Sequence, residues 1–153
     1  MKKIKCLVIL ALVCFFALNM SAQTPADVQK ANEAKIKSDE DVVKKALETV
    51  LMIDPDFQQG SADRALGRWY QKVPGLFGGS NDKSVEHLKR SLTHDPASTA
   101  SHFFLAETYL EMNRRDQARQ EAQKVLELPV NPNWAPEDRE FKQKATALLD
   151  RLR

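Results

Sequence analysis

The amino-acid sequence predicts an all-α chain: an α-solenoid of about three antiparallel helical hairpins plus a C-terminal capping helix. Three observations carry this expectation. Apolar residues recur at 3- and 4-residue spacing through the body of the chain, without the period-2 runs of half-buried strands. Asp-Pro steps and Pro/Gly clusters cut that pattern into segments of helical length. The segments also echo one another at offsets of 34, 39 and 41 residues.

Length and composition set the frame. A chain of 153 residues is one ordinary domain in size. With 42% hydrophobic and 29% charged residues it is too apolar for a disordered chain and too polar for a multispanning membrane protein. Five Gly and seven Pro exclude collagen-like and low-complexity readings.

The first 22 residues read as a signal peptide. Lys2, Lys3 and Lys5 precede thirteen consecutive apolar residues, Cys6 to Leu18, and Asn19-Met20-Ser21-Ala22 closes the segment. The run is shorter than the roughly 20 residues a membrane span needs. Cleavage is expected after Ala22, which implies a periplasmic or secreted protein with no stable membrane insertion of the mature chain. Cys6 and Cys14 are the only cysteines, and both lie in this segment. Cys14 follows Val13 in mid-run, where a lipidation site would want a small residue, so lipidation is not expected. A mature chain without cysteine excludes disulfides, thiolate catalysis and Cys-ligated zinc. The 23 basic residues include the three early lysines; removing those three leaves 20 against 21 acidic. A balance so near neutral makes no case for nucleic acid or an anionic membrane surface.

Residues 23–38 read as a polar N-terminal helix or linker, carrying Ala26, Val28, Ala31 and Ile36 among its few apolar residues. Ser38-Asp39-Glu40-Asp41 then places a cap residue and acids ahead of Val42, Val43, Ala46, Leu47, Val50 and Leu51, as at a helix start. Asp54-Pro55 ends that helix. The repeat domain is expected over 39–152. Its further helices run from about Gly60 to Lys72, Asn81 to His94 and Ser98 to Met112, then through Ala118, Ala122, Val125 and Leu126, and lastly from Pro136 to Leu152. Pro136 suits a first helical position. Gly75 to Ser80 reads as an inserted turn with Leu76 and Phe77 tucked onto the core.

The echo is specific. Ser84, Leu88, Ser91 and Leu92 recur 34 residues on as Ala118, Ala122, Val125 and Leu126. Leu66, Gly67 and Tyr70 recur 39 residues on as Leu105, Ala106 and Tyr109. Val43, Leu47, Val50, Leu51 and Asp54-Pro55 match Ser84, Leu88, Ser91, Leu92 and Asp95-Pro96 at an offset of 41. Small residues let antiparallel helices approach, and Tyr and Leu fill the space between pairs.

On these residues the chain resembles the tetratricopeptide repeat (TPR) family over about residues 40 to 130. His102 stands where that family often has Trp. The resemblance implies a TPR-like solenoid that binds a protein or peptide in its groove. A narrower resemblance runs from about Asp54 to Leu152. It rests on Gly67-Arg68-Trp69-Tyr70, Pro74, Gly78-Gly79, Lys83-Ser84 and the Pro132-Asn133-Trp134-Ala135-Pro136-Glu137 loop. This looks like the periplasmic TPR-like T component that accompanies tripartite (TRAP) solute transporters. It implies an accessory role in solute transport, with a small-molecule-binding role as the alternative function.

Chemistry is sparse. His87, His94 and His102 form no His-x-x-x-His zinc spacing and read as surface or helix-end residues. No Gly-x-Ser-x-Gly elbow occurs, and the Gly75–Ser80 segment lacks the Gly-Lys-Ser/Thr ending of a nucleotide loop. The chain is therefore expected to be no enzyme, with no catalytic residues, no metal site and no cofactor. The candidate binding residues are a charge stripe, Arg64, Arg68 and Lys72 at i, i+4 and i+8, with Phe103, Glu107 and Glu111 on the following first helix. Either the basic wall grips an acidic or C-terminal peptide, or the two stripes neutralise each other across the helix interface.

Overall fold

The computed structural model describes residues 25–153. The expected signal peptide and its cleavage after Ala22 lie outside the described residues. Those residues are all-α: six α-helices and two short 3-10 segments, with no strand among them. Helix α1 runs Pro25–Ile53, α2 Ser61–Lys72, α3 Asn81–His94, α4 Thr99–Glu111, α5 Arg115–Glu127 and α6 Ala135–Arg151. The 3-10 segments are Gly75–Phe77 and Pro132–Trp134.

The chain divides into two units at Lys37/Ser38. The described part of the first is the N-terminal portion of α1, where Gln29 Nε2 donates to Glu33 Oε1 at 3.0 Å. The helix start expected at Ser38 does not occur: Ser38-Asp39-Glu40-Asp41 lies inside α1. A cap residue starts a helix only where its own backbone lies outside helical geometry. No Pro or Gly stands between Ala26 and Ile53 to force that break.

In the second unit helices pack in chain order: α2 on α3, α3 on α4, α4 on α5 and α5 on α6, with α2 also touching α4 and α4 touching α6. Close approach is bought with small residues. A Cβ on Gly67 would fall 2.5 Å from Leu88 Cγ, so α3 presses directly on the α2 backbone there. Ala106, Ala118 and Ala122 do the same for α4 and α5. Between α3 and α4 the seam is polar and satisfied: Ser84 Oγ meets Thr108 Oγ1 at 3.0 Å, and Ser91 Oγ meets Ser101 Oγ at 2.7 Å.

The main core gathers Leu88, Phe103, Leu105, Tyr109, Val125, Ala145, Leu148 and Leu152. A smaller cluster of Leu66, Trp69, Tyr70 and Val73 is covered by Leu47, Leu51 and Phe77. Only Phe77 of the inserted turn packs as expected; Leu76 is 88% exposed. A single 3-10 turn aims successive side chains in different directions, so it seats one of the pair. The turn folds back so tightly that a Cβ on Gly79 would sit 1.6 Å from the Val73 carbonyl oxygen. Ser80 N then donates to Tyr70 O at 2.8 Å, and the Ser80 hydroxyl caps α3 by accepting from Lys83 N.

Helix α6 closes the far end. Asp138 accepts from the Thr99 hydroxyl at 2.5 Å and from Asn131 N at 2.7 Å, which ties the Pro-rich loop to the start of α4. Lys142 Nζ donates to the carbonyls of Val125 and Leu126, terminal acceptors of α5. The near end is different. The two hairpins α2–α3 and α4–α5 are complete, whereas among the described residues the repeat before them shows its second helix, the C-terminal part of α1.

Candidate functional site

The predicted charge stripe falls on two helices whose positions repeat. Arg64, Arg68 and Lys72 on α2 lie 39 residues before Phe103, Glu107 and Glu111 on α4, the same offset that relates Leu66 to Leu105. Equivalent turns of α2 and α4 therefore face one another, and the side chains meet. Arg68 Nη1 bonds Glu107 Oε2 and also donates to Gln71 Oε1 at 2.6 Å. Gln71 Nε2 donates to Glu111 Oε1 at 2.9 Å, and Lys72 Nζ lies 4.0 Å from the same carboxylate. The Arg68 guanidinium stacks 4.4 Å from the centroid of Phe104.

The stripe is thus a cross-helix network. Arg64 stands apart from it, half-buried; burial pushes its guanidinium below the ordinary value, and nearby Asp95 opposes that. Phe103 does not line an open groove. It is 5% exposed and packs on Phe104 and Phe141, so the aromatic wall of this face is Phe104. Helix α4 has apolar residues at four consecutive positions, Phe103 to Ala106, and spacing alone does not say which ring turns outward. Gln71 was missed because a neutral side chain carries no charge signal.

Against this frame of repeating positions, residues 14–153 match the protein family described as TRAP transporter T-component. The chain belongs to that family. No curated protein matches it. The narrower of the two resemblances read from the sequence is the one that the family match supports.

The histidines of this chain sit at interfaces, and two of them in equivalent ones. His87 Nδ1 lies 2.7 Å from Asp63 Oδ1, its ring stacked on Tyr70 at 5.2 Å, with Arg90 Nε 3.3 Å from the same carboxylate oxygen. His102 Nδ1 lies 2.6 Å from Glu121 Oε2, and its Nε2 donates to the Pro96 carbonyl at 3.1 Å. Asp63 and His102 differ by 39 residues, and His87 and Glu121 by 34. One acid–imidazole pair therefore occurs in both hairpins with its polarity exchanged. His94 pairs with Asp56 at 2.5 Å. Burial pushes the Glu121 carboxyl up, but hydrogen bonds from His102 and Lys124 outweigh it and hold the group below its ordinary value.

Two further features of the chain were not expected from the sequence. An open depression of about 510 Å³ at the α4–α5 turn is lined by Arg114, Arg115 and Arg119 among others. The buried Trp69 Nε1 has no hydrogen-bond partner. Among the described residues no group of His, Cys, Asp and Glu is placed to hold a metal ion, and no helix is long and apolar enough to cross a membrane.

Proposed function

We propose that this chain is an exported, non-enzymatic accessory component of a TRAP-type solute transport system, working on the periplasmic side by binding another protein of that system. The family match over residues 14–153 carries the reading. The hairpins serve as a degenerate TPR-like scaffold, a role supported by the 34- and 39-residue echoes and by the small residues at each helix contact. The pairing of Arg68 with Glu107 supports a structural use of the charge stripe, so the partner docks elsewhere.

The test is co-purification of the tagged chain with the solute-binding and membrane subunits of its transporter. Retention of at least one subunit is expected. A folded, helical chain that retains none of them would sink the accessory role. In the same assay Arg64→Glu with Arg68→Glu should melt lower and keep its partner, because the reversal sets like charges against Glu107. Loss of the partner without loss of stability would restore the basic stripe as the docking wall.

A further inference from the structure

The exposed face of α1 in the second unit has a definite place in the repeat. Its residues 43 to 55 match α3 and the following turn at an offset of 41. On α3, the face turned to α2 carries Lys83, His87, Arg90 and His94. Lys83 Nζ lies 5.3 Å from the Tyr70 ring, His87 and Arg90 hold Asp63, and a Cβ on Gly60 would meet His94 Cδ2 at 3.0 Å. Subtracting 41 gives Val42, Ala46, Thr49 and Ile53. These form one stripe on α1 and stand in solvent, Val42 66% and Ile53 79% exposed. The repeat thus states what belongs on this stripe: a helix of the α2 kind, antiparallel to α1.

The chemistry of the missing helix follows from the same register. At His87 the covering helix supplies an acid; at its counterpart, Ala46, nothing calls for one. At Leu88 the covering helix supplies Gly67; the counterpart Leu47 calls for Gly or Ala opposite it. Among the described residues no helix of that kind is spare. Its two helices with the Leu, small residue and Tyr pattern, α2 and α4, are already packed on α3 and α5. The outer positions of α6 are polar: Arg139, Gln143, Thr146 and Asp150.

We propose that the Val42–Ala46–Thr49–Ile53 stripe is the docking surface for an amphipathic helix of another polypeptide of the transport system, neutral along its contact face and with Gly or Ala opposite Leu47. The partner's identity rests on the accessory role proposed above. The surface itself rests on the register and exposure of α1.

The experiment uses the full exported chain co-expressed with the transporter subunits. Val42→Glu with Ile53→Lys alters only solvent-exposed positions of the free chain, so its melting temperature should match wild type. Recovery of the transporter subunit should fall at least tenfold. A photo-crosslinker at Ala46 should label a helical segment of that subunit, and one at Gln143 should not. Full retention of the subunit by the double variant would overturn the docking surface while leaving the accessory role intact. Absence of any subunit from the wild-type eluate would overturn both. Crosslinks from Ala46 to a second copy of this chain, with a change of mass in light scattering on substitution, would assign the stripe to self-association and refute the heterologous partner.

Discussion

Helix α3 and the C-terminal part of α1 are the same element met twice, and they differ in company. Leu88 is packed from both sides, by Gly67 of α2 and by the core formed with α4, and has no exposure. Its counterpart Leu47 is packed from one side, on the cluster around Trp69 and Tyr70. A repeat pattern specifies which face of a helix expects a neighbour; whether the neighbour is in the same chain is a separate fact. The polar residues follow the company. Where α2 covers α3, charge is admitted because it is paired, as in Asp63 with His87 and Arg90. On α1, which none of the described helices covers on this side, the corresponding positions are Val42, Ala46, Thr49 and Ile53.

The largest effects should separate the two leucines. Leu88→Ala removes a side chain enclosed on both sides and should cost about 3 kcal/mol, whereas Leu47→Ala should cost about 1 kcal/mol, because solvent already replaces half of its neighbours. Urea unfolding of the two variants measures both. Equal losses would break the comparison and place a covering helix on α1 in the free chain.

Next come the paired charges. His87→Ala leaves Asp63, 3% exposed, with Arg90 as its remaining cation, and should cost about 2 kcal/mol. The exchanged polarity of His102 and Glu121 suggests its own repair. Asp63→His combined with His87→Glu should be more stable than either single change, since the second hairpin already carries that arrangement. A strictly additive pair of losses in thermal melts would show that the two sites tolerate only one polarity each.

Much of this was readable from the residues, and the failures have physical causes. The α2, α3, α4 and α6 spans follow from Asp-Pro steps, glycines and apolar spacing, because those residues act on the backbone locally. The helix start expected at Ser38, which does not occur, also has a local cause: Ser and acidic residues favour a helix start without enforcing one. Which of Phe103 and Phe104 faces outward was not readable, because Glu107 and Glu111 mark the polar side of α4 and both rings, four and three residues before Glu107, border it. The stripe residues Arg68, Lys72, Glu107 and Glu111 were found by spacing. That Arg68 meets Glu107 follows only when α2 and α4 are set side by side at their 39-residue offset.

Acid should weaken the second hairpin through Glu121. Its carboxyl is held below the ordinary glutamate value, so this contribution is fully present above that value, about 4.3, and is lost as pH falls through the lower folded value. Stability measured by urea unfolding across pH 6 to 3 should therefore fall more steeply for wild type than for Glu121→Gln. Parallel curves would mean that the His102 and Lys124 bonds do not favour the charged form.

The smallest expected effect is the most pointed. Ala46→His with Thr49→Arg writes the α3 pair His87 and Arg90 onto α1. On α3 those side chains matter because Asp63 lies beneath them and an antiparallel helix keeps water away. On α1 the new groups would enter solvent with no buried acid to meet, and exposed charges on a helix surface contribute only tenths of a kcal/mol. The double variant should therefore unfold within about 0.5 kcal/mol of wild type, although its α3 counterparts, when removed, cost several times more. A large change in either direction would mean that something already covers Ala46 in the isolated chain, and the open side of α1 would have to be reassigned.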